Sequence, residues 1–304
     1  MSIYLNIFFL SLFSFFFFIS NKALVDALLL NAAIQFVFFL IVAVIPFLRT
    51  KRMSYVDIAW PFGVSLIGFQ IFLFADNLDV LTILAASAYL FIGLRMGFGA
   101  VVMGLKTGVI FKYDFPRYEY RKVKLAEEAV KYPNLHMLGE VFAQGFANAT
   151  VLAMPGLLIM ANPNSSIGLI EIVGIAVWVL GYSLESLSDT QKLVYISKGI
   201  KNGVCNIGLW KYSRHPNYFG EWLVWTGLAL ASIPSWVSFK TTEGFYVWLS
   251  MGVGVAGASA MLYITLVHLT GATPAEYYSV QKRPGYRAYQ ETTNRFFPWF
   301  PKKS

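Results

Sequence analysis

The sequence predicts an all-α fold, a polytopic membrane helix bundle of about eight transmembrane helices (seven or eight). Three observations support this prediction: an apolar composition, a series of apolar runs of membrane length, and basic residues confined to alternate loops. Of the 304 residues, 57% are hydrophobic and only 13% are charged, and the mean hydropathy is +0.58. Because soluble domains carry about 25% charged residues, this composition excludes a soluble protein with a large core.

The apolar runs set the positions of the predicted helices, since a helix needs roughly 20 residues to cross a bilayer. They lie at about residues 4–20, 26–48, 56–75, 79–104, 139–161, 167–186, 217–238 and 245–269. The first run could be a cleaved signal peptide, but the absence of a basic residue from positions 1–6 favours a retained helix. We expect residues 1–50 to form an N-terminal transmembrane hairpin and residues 51–304 to form the main transmembrane domain with a cytosolic tail.

Basic residues indicate the orientation of the chain. Most of the 24 Lys and Arg lie in segments 49–54, 105–135, 187–216 and 271–304, whereas the loops between these segments are short and nearly free of them. Basic loops face the cytosol, so we expect both termini there. The protein is then a multi-pass integral membrane protein, of the endoplasmic reticulum in a eukaryote or of the inner membrane in a bacterium.

The charge distribution also indicates the partners. The net charge of +8 lies in loops between apolar runs, which favours anionic lipid headgroups and a phosphorylated cofactor over nucleic acid. No obligate protein partner is inferred. Segment 105–135 is expected to be an interfacial helix or loop, and the aromatic tail from Gly271 is expected to fold back on the cytosolic face rather than to be disordered.

The segment 209–221 carries the densest polar cluster next to an apolar run. It contains Arg214, His215, Asn217 and Glu221. Ionisable residues at the mouth of a membrane helix are costly and by default mark a functional site. Pro216 favours a helix start, so the guanidinium of Arg214 and free backbone N–H groups could bind a phosphate or a carboxamide. A membrane-interface cap, with Tyr218 and Trp222 in the aromatic belt, accounts for the pattern equally well.

Two further clusters contain charged residues. Glu185 and Asp189 lie four positions apart at the expected end of a helix, where acids oppose the helix dipole and need a partner. That partner could be Lys192, Arg214 or an adenosine ribose. A solvated helix end is the simpler interpretation. Asp57 and Arg95 lie on neighbouring spans and are expected to pair, either to lock two helices together or to contact a substrate.

Several kinds of site lack support in the sequence. The three histidines, His136, His215 and His268, have no spacing suited to zinc, so we predict no metal site. There is no Gly-x-Gly-x-x-Gly, Walker or Gly-x-Ser-x-Gly motif, which argues against a soluble nucleotide-binding fold and against serine hydrolysis. Glu276 directly follows the last span and could close the same polar pocket as Arg214.

The motifs of the C-terminal half resemble the steroid 5-alpha-reductase C-terminal superfamily, most closely its uncharacterised DUF1295-like branch of membrane proteins. The resemblance covers roughly residues 50–304 and is strongest at 188–192, 208–221, 284–290 and 297–301. The string Arg-His-Pro-Asn-Tyr-x-Gly-acid is also similar to that of sterol C14 and C7 reductases. These motifs are specific for the superfamily but not for a substrate.

This resemblance implies an NADPH site on the cytosolic side and assigns roles to individual residues. Asp189 and Lys192 would contact the adenosine and phosphate end, and Arg214, Asn217 and Glu221 would hold the nicotinamide half. Tyr212 and Tyr218 would line the pocket. Glu185, His215 and Glu276 are the remaining candidate cofactor residues.

The expected activity is NADPH-dependent reduction of a carbon–carbon double bond in a lipid. Candidates for the group that polarises the acceptor are Glu221, Tyr218 and the Asp57/Arg95 pair. The substrate-polarising Glu and Tyr of the steroid enzymes do not map onto this sequence, so a steroid, sterol, polyprenoid or fatty-acyl substrate is open. The alternatives are an S-adenosylmethionine-dependent methyltransferase of the isoprenylcysteine type, whose motif is similar, and a non-catalytic lipid-binding protein.

Overall fold

The fold is helical, as the sequence predicts. The computed structural model describes residues 2–163, 166–199 and 202–302, and within these ranges it contains helices and one isolated bridge between Val109 and Tyr113 but no β-strand. Asn164, in one of the predicted loops poor in basic residues, lies outside the described residues.

Seven helical segments of the described chain are long and apolar enough to cross a membrane. They are Lys22–Thr50, Val56–Phe74, Val80–Thr107, Pro133–Ala161, Leu169–Ser197, Pro216–Thr241 and Phe245–Lys282. A shorter apolar helix, Ile3–Phe18, precedes them. The prediction of seven or eight membrane helices is confirmed. The cytosolic location of the termini and the cellular compartment stay predictions.

The helices are numbered in chain order. We number them α1 (Ser2–Ser14), α2 (Lys22–Phe39), α3 (Ile45–Thr50), α4 (Val56–Phe74), α5 (Val80–Thr107), α6 (Pro116–Glu127), α7 (Pro133–Ala149), α8 (Met154–Ala161), α9 (Leu169–Ser197), α10 (Pro216–Ser238), α11 (Phe245–Ile264), α12 (Ala272–Lys282) and α13 (Tyr286–Thr292). A π-helical turn, Leu40–Val44, joins α2 to α3, and another, Thr265–Leu269, follows α11. The predicted span at 167–186 continues as α9 to Ser197.

The chain divides into two compact units. The first comprises Met1–Ile172 and Leu228–Ala258, and the second comprises Val173–Gly227 and Ser259–Ser304. Residues 1–50, expected to form a hairpin domain, lie within the first unit by this division. A domain boundary at residue 50 stays a prediction.

In the first unit, the amphipathic helix α6 lies in the segment where an interfacial helix or loop was expected. It buries Tyr118 and Leu125 against a core that includes Phe47 and Met137. Its opposite face is charged and carries the ion pair between Lys124 and Glu127. This division between an apolar and a charged face is typical of a helix at the surface of a protein or a membrane.

Three buried amide side chains form a network in the first unit where a membrane helix is interrupted. The segment Pro133–Ala161 breaks at residues 150–153, so the last carbonyls of α7 have no partner within the helix. Asn31 Nδ2 donates to the carbonyl of Asn148 at 3.2 Å, and Asn148 Nδ2 donates to Gln35 Oε1 at 3.2 Å. Gln35 Nε2 in turn donates to the carbonyl of Gly63 at 2.8 Å. Asn31 thus satisfies a carbonyl that the break leaves without a helical partner, and Gln35 extends the network to α4.

In the second unit, α9 and α10 pack backbone to backbone at glycines. A Cβ built on Gly220 would lie 2.5 Å from the backbone N of Glu185, and one on Gly181 would lie 2.7 Å from the carbonyl oxygen of Gly220. Two turns further along α10, a Cβ on Gly227 would lie 2.5 Å from the backbone N of Trp178. Small residues that allow such close approach are typical of membrane helix pairs. This contact brings the polar residues of α9 beside those of α10.

Candidate functional site

A buried ion pair between Arg214 and Glu276 is the centre of the polar cluster in the second unit. Arg214 Nε donates to Glu276 Oε1 at 2.7 Å, and Nη2 donates to Oε2 at 3.3 Å. Gln290 Nε2 donates to Oε2 at 3.0 Å, and Arg295 Nε lies 3.8 Å from the same oxygen. The Glu276 carboxylate is thus held by groups from three segments of the chain.

Arg214 also binds the backbone of the C-terminal segment. Its Nη1 donates to the carbonyl oxygens of Gln290, at 3.0 Å, and Thr293, and its backbone N donates to that of Asn294 at 2.9 Å. The preceding Ser213 donates through Oγ to the carbonyl of Phe296 at 2.8 Å. These bonds tie the start of α10 to residues 290–296 of the tail. The location of the tail on the cytosolic face stays a prediction.

Tyr289 provides a second link between α13 and the segment before α10. Its hydroxyl donates to the carbonyl oxygens of Trp210 and Ser213. Burial raises the pKa of the Tyr289 phenol, which keeps the hydroxyl protonated and able to donate. Nearby, the backbone N of Trp299 donates to the carbonyl of Tyr212 at 2.9 Å, and Tyr212 packs edge-on against Phe300.

His215 contributes a neutral imidazole to the cluster. Its Nε2 lies 3.0 Å from Glu276 Oε1, and its ring stacks on Tyr218 with centroids 5.2 Å apart. Burial lowers the pKa of His215 below its ordinary value, and the hydrogen bond to Glu276 offsets this only in part. The neutral ring can then donate to the carboxylate through Nε2–H.

A second set of polar residues lies on the facing sides of α9 and α10. Asn217 Nδ2 donates to Asp189 Oδ1 at 3.2 Å, and the buried Oδ1 of Asn217 has no hydrogen-bond partner among the described residues. Lys192 Nζ lies 4.3 Å from the centre of the Trp210 ring, a cation–π contact. A buried amide oxygen without a partner, beside a carboxylate, is a position where a polar ligand could complete the bonding.

Two acidic side chains are buried within the membrane-length helices of the second unit. Glu185 on α9 is 4% exposed and Glu221 on α10 is 7% exposed. Glu185 sits where α9 touches the backbone of Gly220, the residue before Glu221. Carboxyl groups at such positions are expensive unless they are paired or serve a function.

The structure places Asp57 and Arg95 in the first unit. Asp57 pairs with Arg117 of α6, whose guanidinium also lies 4.6 Å from the centre of the Phe115 ring. The expected contact between Asp57 and Arg95 stays a prediction. Arg117 belongs to the polar segment 105–135, and nothing in its spacing relative to Asp57 singled it out.

Several members of the cluster escaped prediction. Gln290 and Tyr289 lie inside the motif at 284–290 that carries the family resemblance, so the sequence held a signal for them. It held no signal for Arg295 or for the tail carbonyls that Arg214 binds.

In the described part of the chain, no group of three or more His, Cys, Asp or Glu is arranged to hold a metal ion.

Comparison with known proteins gives a family but no activity. Residues 38–293 match the family described as "Protein of unknown function (DUF1295)". The chain is similar to the uncharacterized protein C594.04c of Schizosaccharomyces pombe, with 25% identity over 218 residues, which cover 61% of this chain and 56% of the relative. It thus spans a little over half the length of that relative. No solved structure matches the chain. The protein belongs to the DUF1295 family.

Proposed function

We propose that this protein is a membrane reductase that uses NADPH to reduce a carbon–carbon double bond in a lipid, with the cofactor held in the second unit by α9 and α10. The observation that carries the proposal is the orphaned Oδ1 of Asn217, buried beside Asp189. A native protein seldom leaves a buried amide oxygen without a partner. The N–H of a carboxamide ligand would supply that partner.

The residues of the α9–α10 set fit the parts of such a dinucleotide. Asn217 Oδ1 can accept from the nicotinamide carboxamide, and Asp189 can accept from a ribose hydroxyl. Lys192 provides the cation that a phosphate requires. NADPH, when bound, supplies the hydride of the reduction.

Arg214, His215 and Glu276 have a different part in the proposal. Because the Arg214 guanidinium already binds Glu276 and two tail carbonyls, we assign these residues to holding the tail and orienting the start of α10. Direct contact between Arg214 and the cofactor, as the family resemblance implies, stays a prediction. By this assignment they position Asn217, three residues further along, rather than contact the reacting atoms.

Glu221 is the group that we assign to the lipid acceptor. It lies four residues after Asn217 on α10 and so shares a helix face with it. A buried, protonated carboxyl can donate a hydrogen bond to an oxygen that gains negative charge, and can then deliver a proton. Tyr218 is the alternative donor on the same helix.

Cofactor binding is the first test. The purified full-length protein in detergent is titrated with NADPH and, separately, with S-adenosylmethionine, and the quenching of tryptophan fluorescence is followed. We expect saturable NADPH binding that Lys192→Ala weakens about tenfold, the loss of one charge-assisted contact. Lys198→Ala removes an exposed lysine from the end of the same helix and is the matched control.

The result also separates the rival functions. Saturable binding of S-adenosylmethionine without NADPH binding would replace the reductase by a methyltransferase. Binding of neither compound would leave a non-catalytic lipid-binding protein.

Turnover is the second test. NADPH oxidation is measured with a panel of enone and polyene lipids, and Glu221→Gln is expected to lower kcat at least 100-fold while NADPH binding is kept. Glu128→Gln, an exposed glutamate outside the cluster, should leave kcat unchanged. Full turnover by the Glu221 variant would remove that residue from the mechanism.

A further inference from the structure

A cleft in the first unit is lined by residues that the proposed function does not use. It has a volume of about 590 Å³ and opens between the end of α3, the amphipathic helix α6 and the start of α7. Its floor includes the buried side chains of Leu125 and Met137. Two cations, Lys51 and Lys122, line it as well. An apolar floor with a few charged groups suits an amphiphilic ligand.

The position of the cleft indicates where this ligand comes from. Thr50 is the last residue of one membrane-length segment and Pro133 is the first of another, and both line the cleft. The cleft therefore lies at the level where these segments leave the apolar layer. At that level the common amphiphilic anions are phospholipids with acidic headgroups.

The backbone of Lys51 provides an independent observation. Lys51 ends α3 in the left-handed conformation, with φ 57° and ψ 19°, where glycine or asparagine is usual. The Lys51 side chain caps its own helix, since Nζ donates to the carbonyl of Leu48 at 2.9 Å, and two of the three ammonium donors are left for a ligand. Ala129, which also lines the cleft, has a φ of 49°.

The ammonium group of Lys122 can also donate to a ligand in the cleft. Its Nζ lies 2.8 Å from Asp114 Oδ2 and 2.8 Å from Glu119 Oε1. An ammonium group has three donors, so these two acids leave one for a ligand. The Asp114 side chain is fully buried and also accepts from Ser54, which fixes the lysine at the edge of the cleft.

We propose that this cleft binds an anionic phospholipid, with the headgroup phosphate between Lys51 and Lys122 and an acyl chain over Leu125 and Met137. The site is independent of the reductase proposal, since it requires neither a cofactor nor turnover. The bound lipid would hold α6 against the ends of α3 and α7.

The test is lipid retention by the purified full-length protein, measured by native mass spectrometry with dioleoyl phosphatidylglycerol and dioleoyl phosphatidylcholine. We expect the anionic lipid to bind about fivefold more tightly for each cation that contacts it. Lys51→Gly should lower this preference about fivefold, the share of one cation, while stability is kept or raised, because glycine relieves the left-handed strain. Ala126→Phe, which fills the cleft from the exposed side of α6, should abolish retention of the anionic lipid.

Lys112→Ala is the matched control. Lys112 is an exposed lysine of the polar segment 105–135, to which Lys122 also belongs, but it does not line the cleft. Equal retention of phosphatidylglycerol by the wild type, Lys51→Gly and Ala126→Phe would overturn the proposal. Displacement of the lipid by the same concentration of glycerol 3-phosphate or inorganic phosphate would overturn it too, since the ligand would then be a soluble phosphate.

Discussion

The guanidinium of Arg214 and the carboxylate of Glu276 face each other in a two-pronged ion pair, although the residues lie 62 positions apart in the chain. The pair joins the start of α10 to α12, the first helix of the tail. Arg214 also binds carbonyls of Gln290 and Thr293, so it links α10 to two further positions of the tail.

Replacement of Glu276 by Gln should loosen the tail. It leaves the Arg214 guanidinium buried without its counter-ion, which costs about 3–5 kcal/mol when one partner of a buried pair is removed. The melting temperature should fall, and trypsin should cut at Arg287 and Arg295 faster than in the wild type. Glu291→Gln changes an exposed glutamate of α13 and should alter neither quantity. An unchanged melting temperature for the Glu276 variant would show that the pair does not hold the tail.

The buried imidazole of His215 should make stability depend on pH. Burial lowers the pKa of His215 in the folded protein, so the unfolded chain binds the proton more readily. The stabilisation is then complete above the unfolded pKa of about 6.5 and is lost as the pH falls from there toward the lower folded pKa. Each unit of difference between the two pKa values contributes about 1.4 kcal/mol.

The measurement for His215 is a series of melting temperatures between pH 5 and pH 8. His215→Gln should flatten the acid side of the profile, and His268→Gln, at an exposed position, should leave it as in the wild type. An acid limb of equal slope in the His215 variant would assign the pH dependence to another group.

Gly220 should not tolerate a side chain. A Cβ at this position would lie 2.5 Å from the backbone N of Glu185, and backbone cannot move aside cheaply. Gly220→Ala should therefore separate α9 from α10, cost about 1–3 kcal/mol and weaken NADPH binding. Gly99→Ala, in α5 with nothing within 4 Å, should be neutral or slightly stabilising. Melting curves and the NADPH titration report the two effects, and an unaffected Gly220→Ala variant would exclude the close packing.

The amide network of the first unit should be sensitive to the loss of Asn148. Asn148→Ala deprives Gln35 Oε1 of its donor in the interior, which costs about 1–3 kcal/mol. Asn77→Ala removes an exposed asparagine between α4 and α5 and should change the melting temperature little. Equal melting temperatures for the two variants would mean that water or another group replaces the amide.

The family motif located the second-unit cluster, but its assignments of single residues were less complete. Arg214, His215 and Glu276 were expected near one another, and they are in contact. The sequence did not indicate that the guanidinium of Arg214 donates its hydrogen bonds to Glu276 and to tail carbonyls. Backbone carbonyls carry no residue-type signal, so contacts to them cannot be anticipated from composition or spacing.

The length of α9 shows the limit of hydropathy in locating helix ends. The apolar run ends near residue 186, yet the helix continues to Ser197 with Asp189 and Lys192 on it. Lys192 lies against Trp210, and Asp189 accepts from Asn217. Trp210 and Asn217 come from a later part of the chain. Their contacts offset the cost of placing Asp189 and Lys192 on the helix, and these two polar residues are the reason that hydropathy predicted a shorter span.

By itself, the sequence determined the helical class and, to within one, the number of membrane-length segments, because both depend on runs of apolar residues and on local rules for helix ends. The tertiary structure alone decided three sets of contacts: Asp57 with Arg117, Arg214 with the tail carbonyls, and Asn217 with Asp189. Pairing of this kind depends on which helix faces touch. That choice is made by glycine contacts and chain reversals between residues far apart in the sequence.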